Sequence, residues 1–342
     1  ALDNALWCMA ALLDVAEEHR LTRLKTMLGG EIDRNREQVF SLLSLAYDAR
    51  RIMLVRDSFK SGSADAKVYA LELVDMFIDS ELKASLMPIL DDLTMVQRLK
   101  LLELKFPQQR LAIVPRLKDI INRPYARVER WTKAGALRAL ADVGDQVEDE
   151  LIATLFHSDE LLRETAAWSL YQIDPAAYDY HVARLSKTIR EGLDRVIKES
   201  QGSVDLRLMM DKVAYLKDVE AFASIPETDL IDLAEHMGQI QVQAGQVVFE
   251  GGDLGHQVYI LVEGQVRLHI GDRPLGPWRE KEMMGGPLAQ TPEKGIATAT
   301  VVERARFLVM DQDDLYNLIA DHVEVASSVF NSLNPPPSDH SD

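Results

Sequence analysis

Cysteine is nearly absent: Cys8 is the only one in 342 residues. No intrachain disulfide can form, and a thiolate zinc cluster is excluded. A chain without disulfides suits a reducing cytosol, and Cys8, inside the apolar run ALWCMAALL, reads as a buried structural thiol. Positive charge is short as well. Lys and Arg number 38 against 55 Asp and Glu, for a formal net charge of −17. The excess is spread along the chain, which serves solubility. With no basic stripe to neutralise phosphates, nucleic acid is excluded as a partner and anionic membrane surfaces are disfavoured. Long apolar runs are also missing. ALWCMAALL gives way at once to DVAEEHR, so it cannot span a bilayer, and it lacks the basic start and cleavage site of a secretion signal.

Catalytic patterns are equally scarce. His19, His157, His181, His236, His256, His269, His322 and His340 include no pair at the four-residue spacing of a zinc helix. There is no Gly-x-Ser-x-Gly, phosphate loop or dinucleotide fingerprint, and no cluster of nucleophile, base and orienting group. DQDD, residues 311–314, lacks the glycine and distal glutamate of a calcium loop and reads as a helix start whose acids favour the helix dipole. The chain is therefore read as non-enzymatic.

What is present falls into two periods, and 342 residues are enough for two cores. Over residues 1–200 apolar side chains recur at three and four, as in DAKVYALELVDMFID, ARVERWTKAGALRALADVGD and DELLRETAAWSLYQID. Polar turns such as SGSAD, NRPY and DPAAY separate them, which predicts paired antiparallel helices. KAGALRALADVGD lies over RETAAWSLYQIDP at a shift of about thirty residues, with Ala136 over Ala166, Leu140 over Leu170 and Val143 over Ile173. VYALELVDMFID has the same rhythm. Small residues at fixed places let helix pairs stack, as in a solenoid; a one-off bundle is the alternative. A boundary is set at QGSVDLRLMMDKVAYLKDVE. After FASIPETDLIDLAEHM the period becomes two: IQVQ, QVVFE, VYILV, QVRLHI, ATATVV and ARFLVMD read as strands with glycine turns between them. Helical spacing returns over 312–333, and NPPPSDHSD reads as a disordered tail. The expected architecture is two-domain α + β: an α-solenoid over 1–200, a β-roll with flanking helices over 201–333, and a tail over 334–342.

The rhythm of Ala and Leu ending in Gly-Asp resembles HEAT repeats. FASIPETDLIDLAEHMGQIQVQAGQVVFEGGDLGHQVYILVEGQVRLHI resembles the cyclic-nucleotide-binding domain of catabolite activator proteins and kinase regulatory subunits. Gly245, Gly252, Gly255 and Gly264 keep that family's order and spacing, as turn residues needing positive φ. The family's cassette reads Phe-Gly-Glu-Leu-Ala-Leu and then Pro-Arg-x-Ala-Thr; its Glu takes the ribose hydroxyl and its Arg the cyclic phosphate. In MMGGPLAQTPEKGIATATV, Met284 takes the Phe place and Gly285 keeps the Gly. Gly286 then falls at the Glu place, before Pro287, Leu288 and Ala289. Ala297 and Thr298 match Ala-Thr, so Gly295 falls at the Arg place with Lys294 beside it. Losing two charge-assisted hydrogen bonds of about 1.5–3 kcal/mol each weakens binding by roughly two to four decades. Pro287 also removes a backbone donor. The resemblance implies a roll kept as scaffold with no cofactor; its alternative is a sensor binding a cyclic nucleotide or other anion through Lys294 and signalling through helices over 312–331. Trp278, in LGPWRE, is a packing anchor or an aromatic lid.

HEAT-like units followed by such a roll resemble the cytosolic tail of bacterial membrane proteins related to nucleotide or major-facilitator carriers. The chain starts with Ala rather than Met, inside a helical pattern, as an excised tail would. This resemblance implies a regulatory, transport-associated interaction module at the cytosolic face of a membrane, not inserted in it. Its partner would be a protein on the solenoid surface, such as the transport domain of the same chain.

Overall fold

The computed structural model describes residues 1–61, 63–144, 146–198, 206–250, 256–285 and 297–321. A helical N-terminal region is followed by an antiparallel sheet, the order in which the two periods appear along the sequence. The chain divides into two compact units, Ala1–Ser158 with Ala166–His181 and Asp159–Thr165 with Val182–Asp342.

The first unit is helical: α1 (Leu2–Asp14), α2 (Thr22–Ala46), α3 (Ala49–Lys60), α4 (Ala64–Phe77), α5 (Ser80–Leu90), α6 (Met95–Leu102), α7 (Ile113–Asn122), α8 (Arg130–Val143), α9 (Asp149–Thr154), most of α10 (Glu160–Ile173) and all but the last residue of α11 (Pro175–Val182). Starts are marked by side chains that take otherwise unpaired backbone N–H groups. Asp48 accepts from Arg50 and Arg51, Asp79 accepts from Leu82, and Thr94 forms a reciprocal box with Gln97. Sequential helices pack on one another as α1 on α2, α3 on α4 and α7 on α8. α1 is also central, touching α5, α6 and α7, and Ala5 through Ala11 are all buried. A helix apolar on every side needs cover on every side, and this one has it. Cys8 lies there fully buried, and burial pushes its pKa up to about 12. It is a packing residue with no thiolate to offer.

The repeat seen in the sequence has a structural counterpart. Position by position, 131–144 and 161–174 share the same degree of burial, except for 133 against 163. Ala136 and Ala166 are fully buried, as are Leu140 and Leu170.

The second unit holds the first turn of α10, α12 (Lys187–Lys198), α13 (Met209–Lys217), α14 (Glu227–His236), the sheet, and α15 (Gln312–Asp321). The strands are β1 (Gly238–Val242), β2 (Val247–Phe249), β3 (Gln257–Ile270), β4 (Arg273–Trp278), β5 (Met283–Gly285) and β6 (Thr298–Asp311). They pair antiparallel in the order β1-β6-β3-β4, with β2 on β6 and β5 on β3. DQDD opens α15 with Asp313 and Asp314 in its first turn, where the dipole favours them. Residues 322–342, including the expected end of that helix and the tail, lie outside the described residues.

Candidate functional site

The roll is built on β3 and β6, which pair from Gln257↔Asp311 to His269↔Thr298. Alternation sends Val266, Leu268, Ala299 and Val301 inward, where they join Leu261, Ala305, Phe307 and Val309. The register breaks between Leu261 and Val266, and Gly264 sits in that break with φ +105°. A Cβ there would lie 2.5 Å from the Arg304 carbonyl and 2.6 Å from Ala305 Cα. Only glycine fits. Gly245 also has positive φ, as its place in the turn predicts. Gly252 and Gly255 lie outside the described residues.

Four aromatics from four strands close the interior. Phe249 stands 6.0 Å from Tyr259 and 6.1 Å from Trp278, and Phe307 stands 5.3 Å from Trp278 and 6.2 Å from Tyr259. Trp278 is buried, and its indole N–H donates to the Glu282 carbonyl at 3.0 Å. It is a packing anchor; the lid reading is set aside. Arg306, buried near the register break, is held by Glu263 at 3.1 Å. His269 is engaged on both ring nitrogens: Nδ1 donates to the Gly271 carbonyl at 2.8 Å, which leaves Nε2 to accept from the Thr300 hydroxyl at 2.9 Å.

Of the residues matched to the cassette, Met284, Gly285, Ala297 and Thr298 are described, and Met284 is buried. Gly286, Pro287, Leu288, Ala289, Lys294 and Gly295 lie outside the described residues. Gly285 ends β5 opposite Val258 with φ +110°, and a Cβ on it would meet the Gln257 carbonyl at 2.6 Å. Ala297 is buried and Thr298 begins β6 opposite His269. Gly285 and Thr298 thus pair with opposite ends of β3, and the ladder itself does not bring them together. Residues 286–296 join them. Among the described residues, the interior between these flanks is apolar and aromatic.

Three further arrangements were not apparent from the sequence. α14 and α15 enclose a groove of about 420 Å³ lined by Asp229, Asp232, His236, Asp314, Asn317 and Asp321. Its carboxylates would attract cations, yet among the described residues no group has the geometry of a metal site. The second is a buried polar pair at the base of the roll. Glu164, on the first turn of α10, accepts from the Met209 N–H at 2.9 Å. Lys212 donates to the carbonyls of Ala234 and Met237 at the end of α14. Burial pushes the Glu164 pKa up to about 7 and lowers that of Lys212. The third lies in the helical unit, where Arg116 is buried between Asp14 at 2.7 Å and Asp119 at 2.7 Å. Trp7 donates to Asp119, and Arg123 lies 3.9 Å over the Trp7 ring. Arg116 also donates to the Gln109 carbonyl, so the group is satisfied and structural in character.

Tyr215 ties α13 to the roll by donating to the Leu261 carbonyl at 3.0 Å, and its burial raises its pKa. Lys281, in the turn before β5, has φ +67° and is held by Asp218 at 3.1 Å.

Residues 239–322 match the family model of the cyclic nucleotide-binding domain. The antiparallel roll described above occupies those residues. No curated protein matches the chain. Solved structures do. The N-terminal domain of a transcriptional regulator from Streptomyces coelicolor is 24% identical, over 34% of this chain and 88% of that one, with a TM-score of 0.29. A cyclic nucleotide-binding-like protein from Brucella abortus is 20% identical over 32% and 98%, with a TM-score of 0.28. The catabolite activator protein of Thermus thermophilus is 24% identical over 32% and 54%, also at 0.28. A cyclic nucleotide-binding domain thus occupies the C-terminal part of the chain. No helix among the described residues is long and apolar enough to cross a membrane.

Proposed function

We propose that the chain is a non-catalytic regulatory and protein-interaction module whose roll is retained as architecture. The observation that carries this reading is the make-up of the cassette. Gly286 and Gly295 stand where a ribose acceptor and a phosphate-binding arginine belong, so no cofactor is expected. The helical unit is read as HEAT-like, supported by the burial that recurs between 131–144 and 161–174. Such a surface suits a protein partner, and a transport domain of the same longer protein, at the cytosolic face of a membrane, is the partner that the sequence resemblance suggests. Nucleic acid is not a partner of so acidic a chain.

A second reading rests on the family match itself: Lys294 supplies a point charge for a cyclic nucleotide or another anion, and the roll senses it. Calorimetric titration with cAMP, cGMP and cyclic dinucleotides separates the two, with Lys294→Ala as control. Absence of heat with all of them is the expected result. Micromolar binding that disappears in the Lys294 variant would replace the scaffold with a sensor.

A further inference from the structure

We propose that the outward face of the α3–α4 hairpin is a self-association surface, on which α3 of one copy lies antiparallel along α4 of a second copy. This does not depend on whether the roll takes a ligand. α4 is apolar on both sides, yet it buries only Ala70 and Val74. Val68, Tyr69 and Met76 are each more than half exposed, Met76 at 72%. On α3, Ile52 and Val55 are buried while Met53 and Leu54 are more than half exposed. Val68 and Tyr69 lie eight and seven residues before Met76, two turns apart on one side of α4, and Met53 and Leu54 are neighbours on α3, so each helix turns apolar side chains to the outside. α1 shows what this chain does with a helix apolar on all sides, and α4 has cover on only one.

Charge identifies the occupant. α3 displays Arg50, Arg51 and Lys60, with Asp57 between them paired to Arg56 at 3.5 Å, in a chain of net charge −17, and α4 displays Asp65, Glu72 and Asp75. Arg50, Arg51, Asp65 and Glu72 enter no ion pair among the described residues. Lys60 and Asp75 have local partners in Glu37 and Lys83. One face therefore carries a basic apolar stripe beside an acidic apolar stripe, and a surface of that kind complements itself. The two helices pack on each other across the short connection from Ser61 to Ser63, so they run antiparallel. A two-fold axis parallel to them and midway between would set α3 of each copy on α4 of the other. Counting outward from the connection, Arg50 and Arg51 then come level with Asp75 and Glu72, and Lys60 with Asp65. Each contact is made twice. Helices of 12 and 14 residues present a face of roughly 20 by 20 Å, hence about 800 Å² over both copies, below the range of stable interfaces and in that of weak, transient ones. The association is therefore reversible, at micromolar concentrations.

Sedimentation velocity on the whole chain, over roughly 1–100 µM, tests this. Wild type is expected to pass from monomer to dimer. The pair Arg50→Glu, Arg51→Glu makes both stripes acidic, and the pair Glu72→Lys, Asp75→Lys makes both basic. Each is expected to weaken dimerisation at least tenfold alone, and an equimolar mixture to restore it. Met53→Ser with Leu54→Ser, which changes no charge, is expected to weaken it too. All these side chains are exposed, so circular dichroism melts should match wild type. A wild type that stays monomeric refutes the proposal. So does a dimer insensitive to every variant, or a mixture that fails to recover; those last two results would assign the face to a different protein or leave it unoccupied.

Discussion

Glu164 should give the second unit a pH dependence that a single substitution removes. Its carboxyl is buried and accepts the Met209 N–H. Lys212 is the nearby cation, while Glu160 and Asp211 are nearby like charges. Burial dominates and raises its pKa from 4.5 to about 7. Below pH 4.5 the carboxyl is protonated both folded and unfolded and contributes nothing. Between 4.5 and 7 the folded chain holds the proton more tightly, so stability falls as pH rises. Above 7 the full cost is present: 2.5 units at 1.36 kcal/mol each, or about 3 kcal/mol. Glu164→Gln keeps an oxygen for the Met209 N–H and cannot ionise. The variant is expected to match wild type below pH 4.5, to differ little at pH 5 and to melt higher by about 6–12 °C at pH 8, taking 2–4 °C per kcal/mol. Calorimetric melts in steps from pH 5 to 8.5 would follow the divergence. Carboxyl carbon NMR would place the titration near neutrality. Parallel profiles for the two proteins, or a carboxyl that titrates in the ordinary range, would show that burial does not govern this group.

Two other substitutions test the packing. Gly264→Ala puts a methyl 2.5 Å from a carbonyl oxygen at φ +105°, whereas Gly276→Ala, at φ +130° in open space, adds backbone strain only. Expected losses are about 3 kcal/mol or more for the first and about 1–2 kcal/mol for the second, read from thermal melts; equal losses would mean the close approach at Gly264 is unimportant. Arg116→Met leaves the buried Asp14 carboxylate with the exposed Arg110 and the Leu111 N–H and should cost about 3–5 kcal/mol in urea unfolding. Adding Asp14→Asn should recover part of that loss, since the stranded charge is then removed.

The features legible from sequence are those that repeat or that need one residue type. A period of 3.6 against a period of two separates the helical region from the roll, because burial on one face leaves its mark at every turn or every second residue. Gly245 and Gly264 were legible because positive φ is costly for anything else. The overlay of Ala136 on Ala166 was legible because small buried residues recur at one interval. Contacts between distant residues leave no such trace. In HSDELLRE, Glu164 looks like one more charge at a helix start, and Asp159 does play that part by accepting from the Leu162 N–H. Only α13, 45 residues on, buries Glu164. Phe249, Tyr259, Trp278 and Phe307 are scattered along the sequence, and their meeting depends on strand order.

The cassette falls on the other side of that division. Among the described residues β3, β6 and the aromatic cluster build an apolar core. In 286–296 the sequence places glycines, Pro287 and Lys294. Each charge-assisted bond that a substitution there adds or removes would change anion binding by about 1.5–3 kcal/mol. The glycine at Gly285 is required by the nearby Gln257 carbonyl, and so would persist whether or not a nucleotide ever binds.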